Sequence, residues 1–520
     1  LSSFPTGELL RGLPAPNPPV PQSSAPADSA YGSLGPFLDL LEIPEAHTLG
    51  FLGGGTRVGI LDGHFLTDHF AFQGNPPVAV RDFVDSDGSV HPGLEEQPGA
   101  ASHGTGLWSL VTGNWPGNII GSAPGASVVL ARIRNEADPV GADEDRWVAD
   151  LEWLESQGAR VVLSGVGFRN FDGGVYGQDD LNGDVAPATQ AADEAALRGV
   201  LVIAPVGNEG PGLRTLQSPA DGDSVLAVGA SNLAGVEADF SAQGPTEDGR
   251  AKPDFLSPGV NVPAASGMGR EALEMVQGTE FASAFLAGAA ALFIEAYPDR
   301  GPMEVLQAFR NVVENAAQGL NRIPRVAPAI VFPDGVWPFP LPDVDSEGRV
   351  QDLAPRFQWN VPTTHPQALP VTYFLEFAED SLFQGVVMKD SVVGTFARRL
   401  QEPLPPETRL FWRIRAQSIQ GISWATLPEG PLTVPSWVSL NVLNDPSGTQ
   451  VAEPQPEFRW TPMEITGAAG PLTFDLEVIQ DREGEVIQSY REIEENSFRI
   501  EEPLPFNLPL RWRVIAQART

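Results

Sequence analysis

Four short segments carry side chains that could together catalyse acyl transfer. Asp62 ends the apolar run RVGILD, His103 stands in SHGTGL, and Asn208 stands in PVGNEG. A buried carboxylate can orient an imidazole and stabilise its charged form, and an amide can donate a hydrogen bond to a tetrahedral oxyanion. The fourth segment, QGTEFASAFLAGAAALF, places the carboxylate of Glu280 near the start of a helix-like pattern. Taken singly, such residues are typical of turns and caps, so the prediction depends on their order along the chain.

That order, Asp, His, Asn and then a Gly-Thr-x helix start, resembles the active-site elements of the subtilisin family of serine proteases. Further segments between residues 40 and 325 fit the resemblance, among them GSAPGASVVLARI, SPADGDSVLAVGA and FSAQGPTEDGRAKPDFLSPGVNV. The resemblance implies that Asp62 and His103 form a pair and that Asn208 is the oxyanion donor. Two positions depart from the family pattern. Asp62 is followed directly by Gly63, with no intervening residue, and Glu280 stands where the family has its nucleophilic serine.

Glu280 changes what such a site can do, because it offers no hydroxyl for an acyl intermediate and its charge would repel the developing oxyanion. The neighbouring hydroxyls do not replace the serine, since Thr279 should point elsewhere and Ser283 lies nearly a helical turn further on. We therefore expect a catalytically inactive pseudoprotease that serves as an extracellular binding or structural component. A carboxylate at a helix N-terminus is favourable, and we expect Glu280 to contact a charged His103 there.

Two alternatives remain open. The chain could be an active secreted serine endopeptidase, or one that was engineered to be inactive at residue 280. It could also be an adhesion protein that binds polysaccharide or another protein through its C-terminal modules.

The resemblance also implies a substrate site. In the subtilisin family the substrate backbone adds as a strand beside the segment that Gly165, Val166 and Gly167 match, and peptide binding can survive the loss of chemistry. Two nearby aromatic side chains, Phe168 and Phe171, could instead block this groove. A peptide or protein ligand is therefore the expected partner.

An acidic loop has the spacing of a cation site. Its oxygen-bearing side chains are Asp180, Asn182 and Asp184, with Gly183 to make the turn, and this set would suit calcium. Clusters of this kind are more often plain turns. We expect that no cofactor is required, and calcium is the one candidate.

The chain reads as an α/β region followed by two all-β modules. A Pro-rich arm covers residues 1–36, and short apolar runs alternate with helical patterns such as 146–157 over residues 37–331, which predicts a mainly parallel sheet flanked by helices. Beyond a second Pro-rich strap, PRFQW, TYFLEF, EPLP and FWRIRAQ recur about a hundred residues later as PEFRW, TFDLEV, EPLP and RWRVIAQ. This repeat predicts two β-sandwich modules, residues 332–436 and 437–520, which resemble fibronectin type III or immunoglobulin-like domains. The second module has less sequence after its last matching string, so a partner protein could supply an edge strand there.

Composition excludes several classes of function. With 32 Lys and Arg against 67 Asp and Glu, the net charge of -35 disfavours binding to nucleic acid or anionic membranes. The sequence has no Cys, which excludes disulfides and thiol chemistry. No run of about 20 apolar residues predicts a membrane span. The first residue is Leu1, as expected of a processed chain, and we predict a secreted, extracellular or periplasmic location.

Overall fold

Short aliphatic and β-branched runs form the strands of the N-terminal region, as their length and composition predict. In the computed structural model these strands are β1 (Arg57–Asp62), β2 (Ala79–Asp82), β3 (Asn114–Trp115), β4 (Ile119–Ile120), β5 (Ser127–Arg132), β6 (Val161–Ser164), β7 (Asn170–Phe171), β8 (Gly174–Val175), β9 (Leu201–Pro205), β10 (Leu226–Ser231), β11 (Phe255–Pro258), β12 (Val262–Ala265) and β13 (Leu273–Val276). Seven of them form one parallel sheet in the order β11-β10-β9-β6-β1-β5-β2. The predicted α/β fold with a mainly parallel central sheet is confirmed.

The structure describes residues 30–92, 101–134, 144–171, 174–313, 322–335, 341–352, 354–360, 364, 369–381, 383–395, 397–418, 423–426, 430–435, 438–440, 454–462, 472–480, 485–505 and 510–518. Most of the predicted arm, residues 1–36, lies outside these ranges. Its last residues belong to the packed region, because Leu34 is fully buried and the first helix begins at Gly35.

The helices of the N-terminal region complete the α/β pattern. They are α1 (Gly35–Asp39), α2 (Ile43–Thr48), α3 (Ser102–Thr112), α4 (Glu144–Ser156), α5 (Pro187–Leu197), α6 (Thr279–Ala296), α7 (Pro302–Val312) and α8 (Val326–Val331). Among the described residues, α6 alone is long and apolar enough to cross a membrane by composition, and 83% of that span is buried inside the protein. A buried core helix passes the same test, so this finding is weak evidence for a membrane segment.

The candidate site residues meet at one edge of the sheet because the central strands run parallel. β1 lies between β5 and β6, and β6 pairs with β9. The carboxyl ends of these four strands therefore lie side by side, and each is followed by a loop that carries polar side chains. The N-terminal turns of α3 and α6, which pack against each other, supply the remaining groups.

The C-terminal region consists of antiparallel sheets that repeat. Its strands are β14 (Arg356–Gln358), β15 (Val371–Ala378), β16 (Val386–Val393), β17 (Ala397–Arg399), β18 (Thr408–Ser418), β19 (Ser423–Thr426), β20 (Leu432–Val434), β21 (Val438–Leu440), β22 (Glu457–Pro462), β23 (Leu472–Gln480), β24 (Val486–Ile493), β25 (Ser497–Arg499) and β26 (Leu510–Ala518). β15 pairs with β16 and β18, as β23 pairs with β24 and β26, and β14 pairs with β17 as β22 pairs with β25. The internal sequence repeat therefore corresponds to a repeat of strand pairing.

The chain divides into two units. One consists of Leu1–Gly335 with Thr363–Gln367, and the other of Val336–Pro362 with Ala368–Thr520. The predicted boundary at residue 331 lies within a few residues of the first division. The further boundary at residue 436 stays a prediction.

Candidate active site

Asp62 and His103 form a closely held pair. Asp62 ends β1 with a fully buried carboxylate, and its Oδ2 lies 2.6 Å from Nδ1 of His103 in the first turn of α3. The backbone N–H of Gly63 donates to Oδ1 of Asp62 over 2.7 Å. Burial alone would raise the pKa of Asp62, but the charges of His103 and Arg134 and the hydrogen bonds from His103 and Gly63 bring it below its usual value. The carboxylate is therefore held in its charged form.

Arg134 is a third member of this cluster that the sequence did not reveal. It follows β5, whose pairing with β1 continues through a hydrogen bond from Ile133 N–H to the carbonyl of Asp62. Arg134 Nε lies 3.2 Å and Nη2 3.1 Å from Oδ1 of Asp62. The same Nη2 lies 3.2 Å from Nδ1 of His103. One buried carboxylate thus faces both an imidazole and a guanidinium.

The carboxylate of Glu280 is bound by the side-chain amide of Asn208. Nδ2 of Asn208 donates to both carboxylate oxygens, over 2.9 and 3.0 Å. Glu280 lies in the first turn of α6, where the helix dipole favours a negative charge. Among the ion pairs of the described residues none joins Glu280 to His103, so that expected contact is not formed. The ring of His103 instead packs edge-on against Phe281, with centroids 5.0 Å apart.

The two hydroxyls near Glu280 are already engaged. Oγ1 of Thr279 accepts the backbone N–H of Gly207 over 3.2 Å and donates to Oδ1 of Asn208 over 3.2 Å. The backbone N–H of Thr279 also donates to that oxygen, which fixes the orientation of the Asn208 amide. Ser283 is fully buried and donates to the carbonyl of Thr279 within the helix. Neither hydroxyl is free to act as a nucleophile.

The predicted substrate segment follows β6 directly, and several of its backbone groups make no hydrogen bond within the described residues. The N–H of Gly165 donates to the carbonyl of Leu61, and the carbonyl of Val166 accepts the hydroxyl of Ser164. Within the described part of the chain, the backbone of Gly167 takes part in no hydrogen bond. The groups open to an added peptide strand are therefore the carbonyl of Gly165, the N–H of Val166 and both backbone groups of Gly167.

Gln217 fills the space beside this segment and is a second residue that the sequence did not reveal. Its side chain is buried and would lie 2.2 Å from a Cβ built on Gly167 and 3.2 Å from one built on Gly207. The expected obstruction by Phe168 is wrong, because that side chain is fully buried and packs against Trp147. The side chain of Phe171 lies outside the described residues.

The two glycines of the segment should respond differently to alanine. A Cβ on Gly165 would lie 2.5 Å from Oδ2 of Asp62 and 2.8 Å from Cδ1 of Leu107, so we expect Gly165→Ala to lower the free energy of unfolding by about 1–3 kcal/mol. A Cβ on Gly167 would lie 2.2 Å from Cδ and Nε2 and 2.6 Å from Cγ of Gln217, whose flexible side chain can rotate away at the cost of its hydrogen bond to the carbonyl of Pro205. Thermal melting should show a large loss for Gly165→Ala and a smaller loss for Gly167→Ala, and Gly167→Ala should cause no further loss in a chain that already carries Gln217→Ala. Equal losses at the two glycines would contradict this prediction.

Side-chain oxygens of the acidic loop accept hydrogen bonds from backbone N–H groups of the same loop. Asp180 accepts the N–H of Gly177 over 2.8 Å, and Asn182 accepts the N–H of Asp184 over 2.9 Å, as turn residues do. No group of three or more acidic or histidine side chains converges on a metal position in the described ranges. Calcium binding at Asp180, Asn182 and Asp184 stays a prediction.

The parallel sheet and the Asp–His pair at its carboxyl edge are features of a serine-protease-like α/β domain. The family model described as the subtilase family, peptidase S8, matches residues 53–332. This match covers more than half of the chain, which therefore belongs to the subtilase family.

Curated proteins and solved structures that resemble this chain include the following three. Serine protease AprX of Bacillus subtilis (strain 168) is 35% identical over 145 residues, which is 24% of this chain and 33% of AprX. Subtilisin DY of Bacillus licheniformis is 27% identical over 288 residues, covering 55% of this chain and 91% of that protein. The solved structure of the prenylagaramide maturation protease PagA has a TM-score of 0.43 and 23% identity, covering 56% of this chain and 96% of that one. The chain thus matches a third of AprX but nearly all of subtilisin DY.

Proposed function

We propose that this chain is a catalytically inactive subtilase that serves as a secreted binding or structural component. The observation that carries the proposal is the bidentate hydrogen bond from Asn208 to Glu280. Asn208 matches the family's oxyanion donor, and Glu280 matches the position of the nucleophile. The amide of Asn208, which in a working enzyme would donate to the oxyanion of the transition state, thus donates to the carboxylate of Glu280.

Acyl transfer requires a nucleophilic hydroxyl and a free donor for the oxyanion, and this site offers neither. Removing the serine of a subtilisin lowers kcat by about a millionfold, and Glu280 offers no hydroxyl in its place. Thr279 and Ser283 are engaged in hydrogen bonds, which argues against the alternative of an active peptidase with another nucleophile. A carboxylate bound to Asn208 also repels an oxyanion at the same point.

Labelling with a fluorophosphonate tests this proposal directly. The purified full chain is incubated with the probe and, separately, with casein, alongside subtilisin DY as a positive control. We expect neither labelling nor cleavage by this chain under conditions in which the control is fully labelled. Labelling of the unmodified chain, or casein cleavage that the probe abolishes, would overturn the proposal.

Peptide binding is the activity we propose for the inactive domain. The unused backbone groups of Gly167 support it, and the buried side chain of Gln217 beside them limits what a ligand can place there. Gln217→Gly should therefore strengthen the binding of casein-derived peptides, measured by calorimetry on the full chain. Unchanged affinity would mean that peptides do not occupy this groove.

The C-terminal modules support a second candidate function, adhesion or partner binding. We propose that they are fibronectin type III-like, since each repeat has a three-stranded pairing and a separate edge pairing of the same pattern. Sandwich domains of this architecture occur in many cell-surface proteins. Loss of ligand binding on removal of the modules, with the subtilase domain unaffected, would assign the binding to them.

A further inference from the structure

The cluster of Asp62, His103 and Arg134 differs from an Asp–His pair that serves a nucleophile. The carboxylate of Asp62 is fully buried. Its Oδ2 accepts a hydrogen bond from His103, and its Oδ1 accepts one from Arg134. Arg134 is 18% exposed, so water screens its charge only in part. The guanidinium is therefore a fixed positive charge inside the site.

The positions of the protons follow from the distances. A separation of 2.6 Å between Nδ1 of His103 and a charged carboxylate oxygen requires a proton between them, and that proton resides on Nδ1. Nη2 of Arg134, 3.2 Å from the same nitrogen, is also a donor and cannot bond to it. The two donors are held next to each other only because both bind Asp62.

This arrangement places a second positive charge beside the imidazole of His103. When a histidine accepts the proton of a nucleophile it becomes positively charged, and the paired carboxylate normally stabilises that charge. Here Arg134 already neutralises the carboxylate, and its own positive charge would repel a charged imidazole. The ring that packs against His103, that of Phe281, is apolar and brings no compensating charge, and Glu280 forms no ion pair with His103 in the described structure.

We infer that Arg134 is a second obstacle to catalysis, separate from Glu280, and that both must be removed before this site reacts as a serine protease. The inference rests on the proposed inactivity of the native chain and adds a positioning residue that opposes the reaction. It also accounts for the presence of Asp62 and His103 without the serine. A buried carboxylate needs charged or hydrogen-bonding partners to remain buried, whatever the state of the nucleophile position.

The test compares fluorophosphonate labelling rates in full-length chains that carry Glu280→Ser. One chain has this change alone, a second adds Arg134→Met, a third adds Arg134→Lys, and a fourth adds Arg198→Met as a control at an exposed arginine. We expect the Arg134→Met chain to label at least about tenfold faster than the single variant, because a working general base contributes a hundredfold or more. The Arg134→Lys chain should stay as slow as the single variant, since it keeps the charge, and Arg198→Met should have no effect.

The comparison of Arg134→Met with Arg134→Lys separates the effect of charge from that of packing. If Arg134 had only a structural role, the neutral variant would not be labelled faster than the charged one. Melting curves establish that each chain is folded, and Arg134→Gln replaces Arg134→Met if the latter is unfolded. The inference is overturned if the neutral variant labels no faster than Glu280→Ser alone, including the case in which neither chain labels. Labelling of the native chain would instead contradict the proposed function, so the two failures are distinguishable.

Discussion

Asp62→Ala should lower the free energy of unfolding of the subtilase domain by about 3–5 kcal/mol, the cost of breaking a buried ion pair from one side. The reason is that Asp62 is fully buried, forms an ion pair with Arg134 and accepts a hydrogen bond from His103. Without it, a largely buried guanidinium and an imidazole lie next to each other with no anion between them. Urea unfolding followed by near-ultraviolet circular dichroism at pH 7 measures the loss.

The pH dependence of that loss provides a check on its cause. The pKa of Asp62 is lowered in the folded state, so its contribution is fully present above the usual value of 3.8 and is lost as the pH falls through the folded value. The difference between the native chain and Asp62→Ala should therefore narrow below about pH 3.8. Glu194→Ala is the matched control, because it breaks an exposed pair with Arg198 and should cost less than about 1 kcal/mol. A loss that is the same at pH 3 and pH 7 would show that Asp62 acts through packing.

The fold was predictable because each central strand is a continuous run of apolar residues. A strand buried on both faces needs no alternation, and β1, β5, β6, β9 and β10 follow apolar runs of this kind, whereas the edge strand β2, AVRD, does not. Helix α4 begins at Glu144, two residues before the predicted start. The carboxylate of Glu144 is buried and accepts hydrogen bonds from Tyr176 and Ala188, and apolar periodicity cannot detect a buried polar residue.

The candidate site was predictable only where short motifs mark it. Asp62, His103, Asn208 and Glu280 all lie at the same edge of the sheet, and the Asp–His and Asn–Glu contacts are present. Arg134 lies one residue beyond the last bond between β5 and β1, and its role depends on strand register, which the sequence does not show. Gln217 was missed for a similar reason, because it comes from a loop distant in sequence from Gly167. The expected contact between Glu280 and His103 is not formed, because the amide of Asn208 binds both oxygens of the Glu280 carboxylate.

Asp150→Asn is expected to stabilise the protein, and the gain should increase with pH. Asp150 is fully buried in α4, and neither of its carboxylate oxygens has a hydrogen-bond partner among the described residues. Burial raises its pKa to about 9, assisted by the charge of Asp82 and opposed by Arg81 and Arg146. Between the unfolded value of 3.8 and the folded value, the folded chain holds a proton that the unfolded chain has released. Stability therefore falls as the pH rises, by up to about 1.4 kcal/mol per pH unit.

Asparagine keeps the shape of this side chain but does not titrate, so it removes that slope. Urea unfolding at pH 4, 6 and 8 should show little difference between the native chain and Asp150→Asn at pH 4 and a gain of about 2 kcal/mol or more at pH 8. Glu152→Gln is the control on the same helix, because Glu152 is exposed and its replacement should produce no trend with pH. If the native and Asp150→Asn curves stay parallel from pH 4 to 8, Asp150 is ionised in the folded protein. A charged Asp150 would then have to be stabilised by Arg81 and Arg146, and Asp150→Asn would destabilise the domain at every pH above 4.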